Sequence, residues 1–288
     1  MTTLAALLTV HNRRATTLAC LDALLGQLLP AGIRLSVFLV DDGSTDGTAE
    51  AVRERFPEVR LLQGSGSLFW NGGMRLAFSK ALKEGFDYYL WLNDDTHLYP
   101  GALHVLLETS LKLGPEAIVV GSVQDPHTGA HTYGGVVRSN RYRPLRFSLV
   151  APGEAPRLVD TMNGNCVLIP RQVAEKVGNL DPNFTHSMGD FDYGLRARRL
   201  GFGVWVAPGY VGTCARNSMK GTWCDSALPL RERWRKVREV KGLPPEEWRV
   251  FAQRYAGSLW PVYWLSPYLR LLLSSVTVKV RRRFLEGF

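Results

Sequence analysis

The feature that most constrains the fold is an apolar run that ends in two adjacent acids. The run 88–92, YYLWL, is rich in β-prone residues and leads through Asn93 into Asp94 and Asp95. Adjacent carboxylates repel each other, so they cost stability unless a positive group lies close by. The pair alone supports two interpretations: a cap for a helix predicted to begin near Gly101, and a site for a divalent cation carrying a diphosphate.

The beginning of the chain alternates between strand and helix patterns. Apolar runs at 4–10, 35–40 and 59–62 have the length of buried strands, and the segments 16–29 and 47–56 between them have helical spacing. This β-α-β-α-β order predicts an α/β fold with a doubly wound, mostly parallel sheet. Right-handed crossovers bring the carboxyl ends of such strands to one edge, where ligands bind in open α/β sheets.

A second pair of acids, Asp41 and Asp42, follows the strand predicted at 35–40. Two pairs at one sheet edge weaken the cap interpretation, because a helix cap needs a single Asp. The first strand is not followed by the Gly-x-Gly-x-x-Gly of dinucleotide-binding folds, and the sequence contains no Walker loop. The pattern therefore argues against a dehydrogenase and favours a cation and nucleotide site.

The segment 64–75 combines four glycines with aromatic and basic residues. Gly73 belongs to the glycines that predict close approach of the backbone to a ligand. Trp70, with Phe69, can form an aromatic wall, and Arg75 can meet a phosphate. The competing interpretation is a flexible surface loop whose aromatic side chains pack into the core. After this segment, a helix is predicted over 76–82.

A further acidic segment, 187–201, places Asp190 near a predicted helix start. A carboxylate is favoured there by the helix dipole, so a structural role competes with a catalytic one.

Taken in order, these segments resemble a family 2 glycosyltransferase with the Rossmann-like GT-A fold, here followed by a C-terminal helical tail. The segment 41–46, DDGSTD, matches the D-D-x-S-x-D nucleotide motif of the family, and 93–95, NDD, is similar to its D-x-D metal motif. The segment 189–198 resembles the E-D base motif and the helix that follows it. The loop 69–73 is most similar to that of bacterial rhamnosyltransferase-like members, and the resemblance spans about residues 4–218.

The resemblance implies a metal-dependent, inverting transfer of a sugar from a UDP- or dTDP-sugar to a hydroxyl of a cell-surface glycan or lipid-linked acceptor. Asp94 would contact the ribose or the metal, and Asp95 would ligate Mg²⁺ or Mn²⁺. The nucleobase would be held by Thr9, His11 and Asp42.

The resemblance also implies that Asp190 is the general base that takes the acceptor proton. Two departures from the family pattern affect this site. Gly189 replaces the acid that usually precedes the base, so Asp192 competes with Asp190 for the role. The segment 212–217 lacks the His that often follows the last core strand, and Arg216 there offers a positive charge instead.

Two other functions compete with glycosyl transfer. A nucleotidyltransferase acting on sugar phosphates would also place acids at a sheet edge, but it would need a Gly-rich basic first loop, and the segment 11–14 has no glycine. A non-catalytic scaffold at the membrane would keep the acids only as remnants.

Charge separates the C-terminal region from the remainder of the chain. Of a net charge of +9, most lies in residues 228–288, which hold 13 Lys and Arg against 5 Asp and Glu. The nearly neutral remainder argues against a nucleic-acid partner. We therefore predict a catalytic domain at 1–218 and a basic, amphipathic helical region at 219–288.

The C-terminal region has the composition of a helix that lies on a membrane. A basic helix is predicted at 231–238, and apolar segments with aromatic ends follow at 259–265 and 268–280. Together with the basic triplet at 281–283, they are typical of an interfacial helix on anionic lipid. Packing onto the core, or onto a second copy in a homodimer, is the alternative.

The lack of a targeting signal and the cysteine usage predict a cytoplasmic protein, peripheral at the inner face of the plasma membrane. The chain shows no signal-peptide pattern and no run of the ~18 apolar residues that a span needs. The scattered cysteines are typical of free thiols in a reducing compartment: Cys20, Cys166, Cys214 and Cys224.

Overall fold

A computed structural model describes residues 1–140 and 142–285, with side chains described as far as residue 273. The chain divides into two compact units. The first comprises Met1–Val137 and Phe147–Arg216, and the second comprises Arg138–Arg146 and Asn217–Phe288. A domain boundary at residue 218 stays a prediction.

The first unit is built on a ten-stranded sheet. Its strands are β1 (Thr2–Val10), β2 (Ile33–Asp41), β3 (Arg60–Gln63), β4 (Tyr88–Leu92), β5 (His97–Leu98), β6 (Ala117–Gln124), β7 (His131–Tyr133), β10 (Arg157–Val159), β12 (Cys166–Pro170) and β13 (Gly203–Thr213). A separate three-stranded sheet consists of β8 (Gly135–Arg138), β9 (Phe147–Leu149) and β11 (Thr161–Met162).

The strand order of the large sheet is β10-β13-β6-β12-β4-β1-β2-β3, with β5 and β7 paired to β13 and β6. Strands β3, β2, β1 and β4 run parallel, and β12 runs antiparallel between β4 and β6. Val10 pairs with Asp41, so the ends of β1 and β2 lie side by side, and β4 ends on the other side of β1. The predicted α/β fold with a mostly parallel sheet is confirmed.

Helices cover both faces of this sheet. The alternation in β1 sends Leu4, Ala6 and Leu8 to one core and Ala5 and Leu7 to the other. The helices of the first unit are α1 (Arg14–Leu25), α2 (Thr48–Arg55), α3 (Phe69–Glu84), α4 (Ala102–Leu113), α5 (Arg171–Val177) and α6 (Gly189–Arg199).

The segment after β3 differs from the prediction, because α3 begins at Phe69 and not at Leu76. The Asp42 carboxylate accepts the backbone N–H groups of Leu68 and Phe69, at 2.8 and 2.9 Å, and so satisfies donors that a helix start leaves free. Gly73 lets this helix lie close to β1, since a Cβ there would be 2.0 Å from Oγ1 of Thr9. Gly73 therefore serves helix–strand packing, in addition to the close approach to a ligand that was predicted for it.

The second unit is helical around a small aromatic core. It contains α7 (Leu230–Val237), α8 (Pro245–Tyr255), a short 3₁₀ turn (Gly257–Leu259) and α9 (Trp260–Leu285). Tyr268 of α9 is buried and donates its hydroxyl to the Leu243 carbonyl at 2.7 Å. Helix α9 joins the two predicted apolar segments, and the side chains of the 281–283 triplet lie outside the described residues. Within the part of the chain that is described, we find no helix that combines the length and apolarity needed to cross a bilayer.

Candidate active site

The acid pair after β4 forms ion pairs with a cation from the chain itself. Nη1 of Arg13 lies 3.2 Å from Oδ1 of Asp94, and Nη2 lies 2.9 Å from Oδ2 of Asp95. Arg13 immediately precedes α1 and reaches these acids because β1 and β4 are neighbours. The positive group that the sequence required near the pair is therefore Arg13.

Asp94 is almost fully buried, with 5% of its surface exposed. Burial, reinforced by the charge of Asp95 and opposed by that of Arg13, raises the pKa of Asp94 to about 7. Asp95 is more accessible, with 22% of its side chain exposed. Of the two carboxylates, Asp95 is thus better placed to meet a cation from solvent.

The donor set at this edge fits a divalent cation whose coordination a substrate completes. Within the described residues, no group of three or more His, Cys, Asp and Glu side chains could hold a metal alone. Mg²⁺, however, is commonly bound by one or two carboxylates plus substrate phosphates. The attraction of Arg13 to both acids shows that the pair selects a positive charge. Asp95 and Asp94 are the residues that would hold the ion.

A cysteine of the segment 212–217 lies beside the acid pair. Cys214, directly after β13, is buried, and its thiol donates to Oδ1 of Asp95 at 3.4 Å. Burial and the nearby Asp95 charge raise the pKa of Cys214 to about 12, so the thiol stays protonated. Arg216, two residues further on, is exposed.

The loops after β1 and β2 are tied together beside the acid pair. The His11 ring nitrogen Nδ1 lies 2.7 Å from the Asp42 carbonyl oxygen. Asp42 is buried, and its carboxylate also accepts the Gly66 backbone N–H at 2.7 Å. Asp46 accepts the backbone N–H of Arg14 and of Thr48, at the starts of α1 and α2. The DDGSTD motif therefore organises both loops through its side chains.

A tryptophan connects the end of β4 with the predicted base. The indole Nε1–H of Trp70 donates to Oδ1 of Asn93 at 2.7 Å. A Cβ on Gly164 would lie 2.5 Å from the Trp70 ring and 3.3 Å from Cβ of Asp190. Gly164 thus allows both the Trp70 ring and Asp190 to lie close to one backbone segment.

Asp190 lies in the first turn of α6 and is held by backbone donors. Its Oδ2 accepts the Gly164 N–H at 2.9 Å, and its Oδ1 accepts the Phe191 N–H at 2.8 Å. Burial raises the pKa of Asp190 to about 6, and the two backbone hydrogen bonds oppose this rise. A carboxylate with such a pKa is charged at neutral pH and remains basic enough to take a proton.

Asp192 has a different environment from Asp190. It is fully buried and forms an ion pair of 2.7 Å with Nε of Arg196, one helical turn later. Arg196 in turn donates to the backbone carbonyls of Val177 and Asn179, at 2.7 and 2.9 Å. Through Arg196, Asp192 therefore anchors α6 to the end of α5 and to the segment that follows it.

The departure at Gly189 has a steric cause. A Cβ at this position would lie 1.8 Å from Oδ1 of Asn71, a buried side chain of α3. Asn71 is held by hydrogen bonds from its Nδ2 to the carbonyls of Asp181 and Phe184, at 3.0 and 2.5 Å. An acid before Asp190 would collide with this amide.

The predicted phosphate contact, Arg75, lies in the second turn of α3. Its backbone carbonyl accepts from Nδ2 of Asn179 at 2.9 Å. Among the described residues, no hydrogen bond or ion pair joins its guanidinium to the acids of the sheet edge. Its phosphate role stays a prediction.

The sequence matches one protein family and is similar to several known proteins. The family model for glycosyl transferase family 2 matches residues 6–178. A stretch of 194 residues is 26% identical to the N-acetylglucosaminyl-diphospho-decaprenol L-rhamnosyltransferase of Mycobacterium tuberculosis, covering 58% of this chain and 62% of that protein. A stretch of 143 residues is 29% identical to an uncharacterized protein of Mycobacterium bovis, covering 49% of this chain and 51% of that protein. The chain thus spans less than two thirds of these relatives.

Two solved structures share the fold. GalNAc-T7 with UDP, GalNAc and Mn²⁺ superposes with a TM-score of 0.60 at 13% identity, covering 83% of this chain and 48% of that one. The mannosyltransferase PcManGT from Pyrobaculum calidifontis, with GDP-Man and Mn²⁺, has a TM-score of 0.57 at 19% identity, covering 87% and 64%. The predicted GT-A fold is confirmed, and the chain belongs to glycosyl transferase family 2.

Proposed function

We propose that the protein moves a sugar from a UDP- or dTDP-sugar to a hydroxyl of a glycan or lipid-linked acceptor, with inversion at the anomeric carbon. The observation that carries this proposal is the connection of the acid pair to Asp190 through Asn93, Trp70 and Gly164. The mycobacterial relative is named as transferring rhamnose to a diphosphate-linked lipid, which supports a lipid-linked acceptor. Family membership favours this function over a nucleotidyltransferase or a scaffold.

In this proposal the two acidic sites have separate tasks. Asp190 takes the proton of the acceptor hydroxyl, while that oxygen bonds to the anomeric carbon and the bond to the diphosphate breaks. Mg²⁺ or Mn²⁺ held by Asp95 would neutralise the charge on the departing diphosphate. Asp94 would contact the ribose or the ion. Arg13, which forms ion pairs with both acids, is the chain's own cation at this position.

The nucleotide would lie over the ends of β1 and β2. Thr9, His11 and Asp42 surround this position, and Asp42 acts by holding the start of α3, because its carboxylate oxygens accept backbone N–H groups. Trp70 and Arg75 of α3 would contribute the aromatic wall and a phosphate contact.

Replacing Asp95 with Ala is expected to abolish cation-dependent release of nucleoside diphosphate, because the departing charge loses its counter-ion site. The assay incubates purified protein with Mn²⁺ and a panel of nucleotide-sugars, with and without acceptor lipid extract. Asp22→Ala is the matched control, since Asp22 lies on the exposed face of α1 and forms an ion pair only with Arg55 among the described residues. Equal product release by Asp95→Ala and the parent protein would contradict the proposal.

Activity is expected to fall with acid along the titration of Asp190. The raised pKa means that the carboxylate becomes protonated as pH falls through about 6, and a protonated carboxyl cannot take the acceptor proton. We expect kcat, at saturating donor and Mn²⁺, to level off above about pH 7 and to drop about tenfold per unit below pH 6. A profile that stays flat between pH 5 and 7 would argue against Asp190 as the base.

We propose further that α9 lies on an anionic membrane surface. Large apolar side chains are exposed every three or four residues along it, at Val262, Leu265, Leu269, Leu272 and Leu273. This spacing forms one helical stripe, and the surplus of positive charge in the C-terminal region suits anionic lipid. A peripheral, cytoplasmic location follows as a prediction.

Co-sedimentation with liposomes tests the stripe. At low salt we expect binding to phosphatidylglycerol vesicles, weaker binding to phosphatidylcholine, and loss of most binding in Leu269→Glu/Leu273→Glu. Leu111→Glu on α4 is the control, since Leu111 is equally apolar and 74% exposed. A double variant that binds like the parent, or that only breaks up a homodimer, would contradict the membrane role.

A further inference from the structure

The second unit contains a cavity that the site described above does not use. It has a volume of about 1110 Å³ and is bounded by α7, α8, α9 and the segment 142–146. This size suits a small organic ligand. Its described lining includes no acidic side chain and four arginines, namely Arg143, Arg146, Arg233 and Arg270.

The arginines of this cavity are only partly neutralised by the protein. Within the described residues, Arg143, Arg146 and Arg270 form no ion pair with a carboxylate. Arg270 is oriented by the Ser266 hydroxyl, which accepts from its Nη2 at 2.9 Å. Arg233 donates from Nε to the Trp223 carbonyl at 2.9 Å. Two of the four guanidinium groups are thus oriented by the protein, and guanidinium groups are suited to phosphate oxygens.

The cavity wall also offers aromatic surface. Trp223, Trp248 and Tyr263 line it beside the arginines. Aromatic side chains of this kind can cover the apolar part of a ligand while the arginines meet its charge.

The cavity adjoins the exposed apolar stripe of α9. Val262 belongs to both, because it lines the cavity and is 63% exposed. Arg270 lines the cavity next to Leu269, which is exposed on the same helix. A ligand that occupied both features would need an anionic head and a long apolar chain.

We infer that this cavity binds the diphosphate of an isoprenoid-linked sugar acceptor, with the lipid chain leaving along the stripe of α9. This inference rests on the proposed function, and it adds an acceptor site built entirely from the second unit. The segment 138–146 contributes two of the arginines, and the Tyr142 carbonyl accepts the Tyr263 hydroxyl at 2.6 Å, which attaches the segment to α9.

Calorimetric titration of the full chain with farnesyl diphosphate, below its micelle concentration and without metal, tests this inference. We expect the parent protein to bind farnesyl diphosphate and the double variant Arg146→Gln/Arg270→Gln to bind it at least about tenfold more weakly, since each substitution removes charge-assisted contacts. Arg249→Gln is the control, because Arg249 is an exposed arginine of α8 outside the cavity lining. Inorganic pyrophosphate and farnesol, which each carry half of the ligand, should bind at least about tenfold more weakly.

Separate measurements distinguish the acceptor cavity from the donor site. Asp95→Ala should bind farnesyl diphosphate like the parent, and Arg146→Gln/Arg270→Gln should keep the parent's affinity for UDP with Mn²⁺ and its melting temperature. Unchanged farnesyl diphosphate binding by the double variant, or equal binding of farnesol, would overturn the inference. If Asp95→Ala releases nucleotide like the parent while the cavity binds as expected, the proposed catalysis fails and the lipid-phosphate site stands.

Discussion

Replacing Asp190 with Asn is expected to lower kcat about 10²- to 10⁴-fold, the contribution that a positioned general base typically makes. The side chain keeps its size and one acceptor oxygen, so one of the two backbone donors, Gly164 N–H or Phe191 N–H, stays paired. The expected change in the free energy of unfolding is therefore small, about 1 kcal/mol. Initial rates of sugar transfer with the active donor of the panel measure the effect.

Two controls accompany Asp190→Asn. Its affinity for UDP with Mn²⁺ should equal that of the parent, because no described hydrogen bond or ion pair joins Asp190 to the acid pair. The residual rate should also lose the acid limb that the parent shows near pH 6. A variant that retains more than about a tenth of the parent kcat would remove Asp190 from the base role.

Replacing Asp192 with Ala is expected to act on stability instead. Asp192 is fully buried, and the guanidinium of Arg196 would lose its carboxylate partner while 77% of that side chain stays covered. Breaking a buried ion pair from one side typically costs about 3–5 kcal/mol. We expect the lower end, about 3 kcal/mol, because Arg196 keeps its two carbonyl acceptors.

Urea denaturation measures the loss of unfolding free energy in Asp192→Ala and, as a control, in Asp22→Ala. Asp22 also pairs with an arginine, but 44% of its side chain and 55% of that of Arg55 are exposed. Its loss should cost about 0.5 kcal/mol, as is usual for surface pairs. Below the unfolding transition, Asp192→Ala should keep kcat within about tenfold of the parent. A larger loss of kcat with unchanged stability would make Asp192 the base.

The sheet and its acidic edge were readable from the sequence because they depend on local patterns. A strand of five or more apolar residues, a break after it and an acid at the break all lie within about ten residues of each other. The pairs Asp41–Asp42 and Asp94–Asp95 therefore appeared at one predicted edge, and the parallel pairing of β1 with β2 and β4 brings their strand ends together. The helix that begins at Phe69 was missed because the donor groups at its start are satisfied by Asp42, from another part of the chain.

What the sequence determined alone was the α/β framework, the acid pairs and the order of the family motifs. What only the tertiary structure decided was which side chains complete the site. Arg13 reaches Asp95 across 82 residues of sequence, and Gly164 meets Asp190 across 26. Neither contact has a local signal, since an arginine before a helix and a glycine in a turn are common. The roles of Asp190 and Asp192 are likewise decided by tertiary contacts, although the two residues lie only two positions apart in one helix. Asp190 accepts hydrogen bonds from backbone amides, whereas Asp192 forms an ion pair with Arg196.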